Sequence, residues 1–235
     1  MFVRNTIFRA AFALWTLLFA PLIPLLWVAG TPAALIRPLT RLWARGVLAL
    51  SSLLGGIRYT VRGRANVPHG PVLIIANHQS AWETIAALVL FPDVAIVTKQ
   101  ELLATPVIGW FLSHSPMIPI DRTRSTSAMR KMLADCRREV AAGRSVLIFP
   151  EGTRRPPASV VEFKRGVELL YRSLQIPALV VAHNAGCLWH ENMTLSPGVI
   201  TVSILPPIAS MSDPAGFIKD AQDALNKEVI ALAPR

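Results

Sequence analysis

Val72-Leu73-Ile74-Ile75-Ala76-Asn77-His78-Gln79-Ser80-Ala81-Trp82-Glu83 decides the fold. The unbroken apolar run Val72 to Ala76 suits a strand buried on both faces, since a half-exposed strand would alternate. Polar residues follow at once, then a helix-forming run to Leu90. A buried strand that ends in polar residues and hands over to a helix is half of a parallel βαβ unit.

The same sentence is repeated along the chain. Val94 to Val97 precedes Lys99, Pro116 to Ile120 precedes Asp121-Arg122, and Ser145 to Phe149 precedes Pro150-Glu151-Gly152-Thr153-Arg154. Further strands are predicted at Ile57 to Val61, Ala178 to Ala182 and Val199 to Leu205. Helices are predicted over Ser125 to Ala142, closed by Gly143, over Gly166 to Leu174, and from Asp213-Pro214 to about Leu232. His69 and His114 read as loop residues. Residues 57–235 thus form an α/β domain with a central, largely parallel sheet flanked by helices. Ligands of such sheets sit outside the strand ends. His78, Lys99, Asp121, Arg122 and Glu151 to Arg154 are therefore expected to converge on one site.

Residues 1–56 read differently. Ala10 to Ile36 carries no charge and is long enough for a bilayer span, which needs about 20 apolar residues. Pro21, Pro24 and Pro32 interrupt it, and arginines flank both ends: Arg4 and Arg9 before, Arg37, Arg41 and Arg45 after. Basic clusters at both ends favour a kinked or re-entrant anchor with both ends on the cytoplasmic face. A plain single span is the alternative, and prolines in the apolar core speak against a cleaved signal. Leu39, Leu42, Trp43, Val47, Leu50 and Leu54 recur at helical spacing opposite Arg41, Arg45 and Ser52. That stripe fits an interfacial helix and a helix packed on the body equally well.

Composition narrows the classes. The 235 residues are 52% hydrophobic and 16% charged, which excludes a disordered chain. Two cysteines, Cys136 and Cys187, exclude a disulfide scaffold and a Cys-rich zinc module, and fit a reducing compartment. The net charge is +10, and eight arginines precede the first acidic residue, Glu83. Charge gathered on an apolar N-terminal segment suits an anionic membrane surface, not nucleic acid.

His78 is a candidate general base, and Glu83, one turn into a helix that starts near Ser80, can fold back to orient the imidazole. The alternative is a helix cap and a surface acid in the first turn. Arg122, Arg154 and Lys164 are cations suited to phosphate, and Gly152 permits close backbone approach. Ion pairs with Asp121, Glu151 and Glu162 are the alternative for those cations. Ser80 lacks a nucleophile elbow and reads as a helix cap. His183, Cys187, His190 and Glu191 match no common metal spacing. No nucleotide-binding glycine motif is present.

These residues resemble a known family. Asn77-His78 through Glu83, Ile118-Pro119-Ile120-Asp121-Arg122, Phe149-Pro150-Glu151-Gly152-Thr153-Arg154 and Ala182-His183-Asn184-Ala185-Gly186 stand in the order and spacing of the four glycerolipid acyltransferase blocks. The chain resembles the bacterial lysophosphatidic acid acyltransferases over roughly residues 57–206. The resemblance implies acyl transfer from acyl-CoA or acyl carrier protein to the sn-2 hydroxyl of lysophosphatidate, at the cytoplasmic face of the inner membrane. It makes His78 and Glu83 catalytic and assigns Arg122, Glu151, Gly152, Thr153, Arg154 and Lys164 to the acceptor and its phosphate. It requires no metal or cofactor, only the acyl thioester as co-substrate. Membrane lipids, and acyl carrier protein as a possible donor, are the implied partners. Two departures stand out: Glu83 where the family usually has Asp, and Val180 where the fourth block usually has Pro. They leave open another lyso-lipid acceptor, such as a lyso-ornithine lipid. A membrane lipid-binding protein without turnover is the reading from a different class.

Overall fold

The computed structural model describes residues 2–91, 93–115, 117–120, 125–206, 208 and 213–233. Three helices open the chain: α1 (Phe2–Leu17), α2 (Leu22–Val28) and α3 (Ala33–Leu53). The body then alternates β1 (Ile57–Arg62), β2 (Leu73–Ala76), α4 (Trp82–Leu90), β3 (Ala95–Lys99), α5 (Ile108–His114), β4 (Ile118–Ile120), α6 (Ser125–Ala141), β5 (Val146–Ile148), α7 (Arg165–Leu174), β6 (Ala178–His183), β7 (Gly198–Ile204) and α8 (Pro214–Ala231). The sheet order is β1-β7-β6-β2-β5-β3-β4. Every pairing is parallel except β6 against β7. That reversal follows from the connection, because only short 3-10 turns, not a crossover helix, lie between β6 and β7.

β2 is central, as its unbroken apolar run predicts. Leu73 pairs with Val146 on one side and Ala178 on the other, and all four β2 residues are buried. Ile74 faces a core shared with Trp43, Trp82 and Val181, whereas Leu73 and Ile75 face Met132, Leu170 and Phe217. The sequence missed α5. Pro106 and Gly109 break the apolar period there, so His114 ends a helix and stacks on Trp110 at 4.4 Å instead of lying in a loop.

The N-terminal segment breaks at Leu18 to Pro21, close to the predicted prolines, and turns again at Gly30 and Thr31, both at positive φ. Its inner face belongs to the body. Phe8 is fully buried with its ring edge-on to Trp189 at 5.3 Å, and Asn5 Oδ1 accepts the Leu195 N–H at 3.1 Å. The Trp15 indole donates to the Trp43 carbonyl at 3.0 Å and lies flat over Gly46, where a Cβ would collide with the ring. Trp43 and Val47 of the predicted stripe sit in the core with Ile36 and Ala44, so α3 is a packed helix; Leu42 is left exposed. The outer face of the segment is apolar and exposed at Leu14, Leu17, Leu25, Trp27 and Val28. Phe2–Val28 is long and apolar enough to cross a bilayer, by length and composition alone.

Candidate active site

The β2–α4 junction places the two central side chains. Ser80-Ala81-Trp82-Glu83 leads into α4 with the pattern of a capping box. The Ser80 hydroxyl accepts the Trp82 N–H at 3.1 Å, and Glu83 reaches back to accept the Ser80 N–H at 2.7 Å. Glu83 Oε1 also accepts the Gln79 N–H and, at 2.8 Å, the Nδ1–H of His78. Glu83 Oε2 accepts the Ser80 hydroxyl. The alternative, His78 as the helix cap and Glu83 as a surface acid, does not hold: Ser80 supplies the cap and Glu83 is buried. The extra methylene relative to Asp is taken up without opening the His78 contact.

Burial opposes the charge on Glu83, but the imidazoles of His183 and His78, with the hydrogen bonds from His78 and Ser80, outweigh it and hold its pKa at about 2. Glu83 is thus an anion at neutral pH, and it fixes the proton of His78 on Nδ1. Nε2 is left as the base, and the ring stacks on Phe149 at 4.2 Å.

His183 holds the turn from behind. Its Nε2–H donates to the Asn77 carbonyl at 2.7 Å, and its Nδ1 accepts the Ala185 N–H at 3.2 Å. Asn77 returns two bonds to the His183 main chain, each 2.9 Å. Burial pushes the His183 pKa down, against the opposing pull of the Glu83 charge and the Asn77 carbonyl. The sequence offers His183 as part of the fourth block and as a metal-ligand candidate, and assigns it no structural role. This clamp joins residues far apart in the chain and leaves no local period to read.

β2, β5, β3 and β4 are adjacent and parallel, so their C-terminal ends share one edge of the sheet. His78, Lys99, Gly152, Thr153, Arg154 and Lys164 line a single cavity there. The predicted convergence is observed for His78, Lys99, Gly152, Thr153 and Arg154, joined by Lys164, and not for Glu151; Asp121 and Arg122 lie outside the described residues. Gly152 sits at φ +68, a conformation that favours glycine, and a Cβ there would lie 3.0 Å from the Lys164 Nζ and press the lysine aside. The Lys164 N–H also donates to the Pro150 carbonyl at 3.0 Å. Val180, at the usual proline position, is interior to β6 and buried opposite Ile75.

Glu151 is placed differently from its neighbours. It is buried, it does not line the cavity, and its Oε1 accepts the His78 main-chain N–H at 2.9 Å. Burial, reinforced by the charge of Glu83, raises its pKa to about 7 against the pull of the His78 N–H and Arg155. The folded protein therefore binds a proton at Glu151 that the unfolded chain releases near 4.5. Below that pH the group costs nothing, and its destabilising contribution grows until pH passes about 7. At about 1.4 kcal/mol per pKa unit the change approaches ~3 kcal/mol. Unfolding of wild type and Glu151→Gln between pH 4.5 and 8 should show wild type losing stability relative to the variant as pH rises. A constant difference contradicts the assignment.

The cavity holds about 1080 Å³, at the upper end of ligand pockets. Its cationic lining is Lys99, Arg154 and Lys164. Its apolar lining includes Leu112 and Ile108 of α5, Met132 of α6, and Phe12 and Trp43 of the N-terminal helices. The contribution of α1, α3 and α5 was not legible in the sequence, because it depends on how they dock.

A base held by a buried carboxylate, beside a cavity lined by apolar side chains and cations, suits acyl transfer to a hydroxyl group of a polar acceptor. The Acyltransferase family model matches residues 58–184, and the chain belongs to that family of acyltransferases. It is 37% identical over 200 residues to the 1-acyl-sn-glycerol-3-phosphate acyltransferase of Pseudomonas aeruginosa, covering 84% of this chain and 75% of that one. It is 30% identical over 171 residues to 1-acyl-sn-glycerol-3-phosphate acyltransferase alpha of Mus musculus, covering 71% of this chain and 60% of the relative. The crystal structure of the 1-acyl-sn-glycerophosphate acyltransferase of Thermotoga maritima superposes with a TM-score of 0.64 at 21% identity, over 95% of this chain and 98% of that one, so the two share a fold.

Proposed function

We propose that the protein transfers an acyl chain from acyl-CoA or acyl carrier protein to the sn-2 hydroxyl of lysophosphatidate, giving phosphatidate. The observation that carries this reading is the single cavity whose lining joins His78, the cations Arg154 and Lys164, and a large set of apolar side chains. The names of the relatives agree with it. His78 Nε2 takes the hydroxyl proton, and the oxygen attacks the thioester carbon. The C–S bond breaks as the ester forms, and the imidazolium returns its proton to the departing thiolate. Glu83 stabilises the imidazolium throughout. Arg154, Lys164 and, by resemblance, Arg122 hold the acceptor phosphate, so that positioning supplies much of the rate. Gly152 and Thr153 shape the loop beneath that phosphate. The reaction uses no metal or cofactor beyond the thioester.

The same reading seats the enzyme on the cytoplasmic face of the inner membrane. The exposed apolar face of α1 and α2 lies in lipid, while their inner face stays on the body, where Phe8 and Asn5 are buried. A helix held to the body in this way supports a re-entrant anchor over a free span.

The test is acceptor competition with detergent-purified protein, run separately with each donor. Lysophosphatidate is acylated, and removal of its phosphate, as in monoacylglycerol, lowers kcat/KM by roughly a hundredfold or more, as expected when two charge-assisted contacts are lost. Equal use of lyso-ornithine lipid or monoacylglycerol overturns the assignment of the acceptor.

A further inference from the structure

Glu151 takes no part in the proton transfer described above, yet it lies directly beneath the base at 2% exposure. His78 is gripped through its main chain on both sides. Its N–H donates to Glu151 Oε1 at 2.9 Å, and its carbonyl accepts the Arg155 N–H at 2.8 Å. The preceding residue, Asn77, is fixed to His183 by three bonds. Glu151 is thus the side chain that ties the Phe149–Arg154 loop to the β2–α4 turn. Its other oxygen, Oε2, is buried with no hydrogen-bond partner among the described residues. Pro150 and Gly152 on either side of it line the cavity, and Glu151 does not.

We propose that Glu151 is a positioning residue for the base: its carboxyl fixes the His78 main chain from below, so that the imidazole meets both Glu83 and the acceptor hydroxyl, and it does not contact the acceptor. The proposal rests on the acyl-transfer reading above. Without Glu151 the His78 N–H loses its partner and the turn is free to shift. A displacement of about 1 Å at a reacting group costs on the order of a hundredfold in rate.

The full chain in detergent is compared as wild type, Glu151→Gln and Glu151→Met, measuring kcat and KM for lysophosphatidate at saturating donor. The glutamine oxygen still accepts the N–H, so its kcat stays within about tenfold of wild type. Methionine fills the space without an acceptor of that strength, and kcat falls by about a hundredfold. KM for lysophosphatidate stays within about threefold in both variants, because no acceptor contact is removed. A tenfold or greater rise in KM with kcat held, or a methionine variant with wild-type kcat, overturns the proposal. Carbethoxylation of His78 by diethylpyrocarbonate, followed by mass spectrometry, gives a readout independent of turnover. Several-fold altered reactivity in Glu151→Met, restored in Glu151→Gln, is expected, and equal rates in all three proteins contradict it. If wild type forms no phosphatidate, the acyl-transfer reading fails by itself, and the labelling rates still decide whether Glu151 positions His78.

Discussion

His78→Ala lowers transfer to lysophosphatidate by about a thousandfold, within the range for removal of a general base from a reacting centre. The loss falls on kcat, because the cations that hold the acceptor phosphate and the apolar wall are untouched. The variant folds. Glu83 keeps the Gln79 N–H, the Ser80 N–H and the Ser80 hydroxyl after His78 is truncated, so its charge is not stranded. What disappears is one hydrogen bond and the stack on Phe149. Initial rates with either thioester, beside a thermal melt, measure both effects. Activity above a tenth of wild type in a folded His78→Ala protein contradicts a base at this position.

Glu83→Gln is expected to have the second largest effect, and it separates charge from hydrogen bonding. Oε1 faces three N–H groups, so the amide oxygen takes that place and the amide nitrogen faces the Ser80 hydroxyl. The His78 proton stays on Nδ1, and only the negative charge that supports the imidazolium is lost. The fall in kcat lies between about 10²- and 10³-fold, short of the roughly 10⁴-fold loss when an amide replacing a triad acid also imposes the wrong tautomer. Glu83→Ala goes further. It strands the buried Ser80 N–H at ~1–3 kcal/mol, frees the half-buried Gln79 N–H, and weakens the start of α4 as well as the dyad. Glu83→Gln kinetics within threefold of wild type contradict a role for the charge.

The architecture was legible because its signals are local. β2 announces itself by an unbroken apolar run, α6 by a run of helix formers closed at Gly143, and α8 by Asp213-Pro214, whose carboxylate accepts the Gly216 N–H. His78 and Glu83 were legible for the same reason, being five residues apart on one strand-to-helix turn. What escaped the sequence depends on distance along the chain. The Asn77–His183 clamp, the Glu151 bond beneath His78 and the closure of the cavity by Phe12 and Trp43 each join segments that meet only when the sheet is assembled. Glu151 shows the difference most clearly. Its motif placed it with the acceptor, while its burial and its partner place it with the base. For α3, periodicity left an interfacial and a packed helix equally open, and the Trp15 ring over Gly46 shows how closely it is packed.

The most direct test of the account follows a labelled acyl chain from thioester to product. Purified enzyme is mixed with lysophosphatidate and an acyl donor labelled in the carbonyl carbon, and the phosphatidate is cut by a lipase specific for the sn-2 ester. Direct transfer driven by His78 places the label in the sn-2 ester alone, releases one thiol per phosphatidate, and yields no labelled product without lysophosphatidate. Label released as free fatty acid in the absence of acceptor, or label at sn-1, contradicts it.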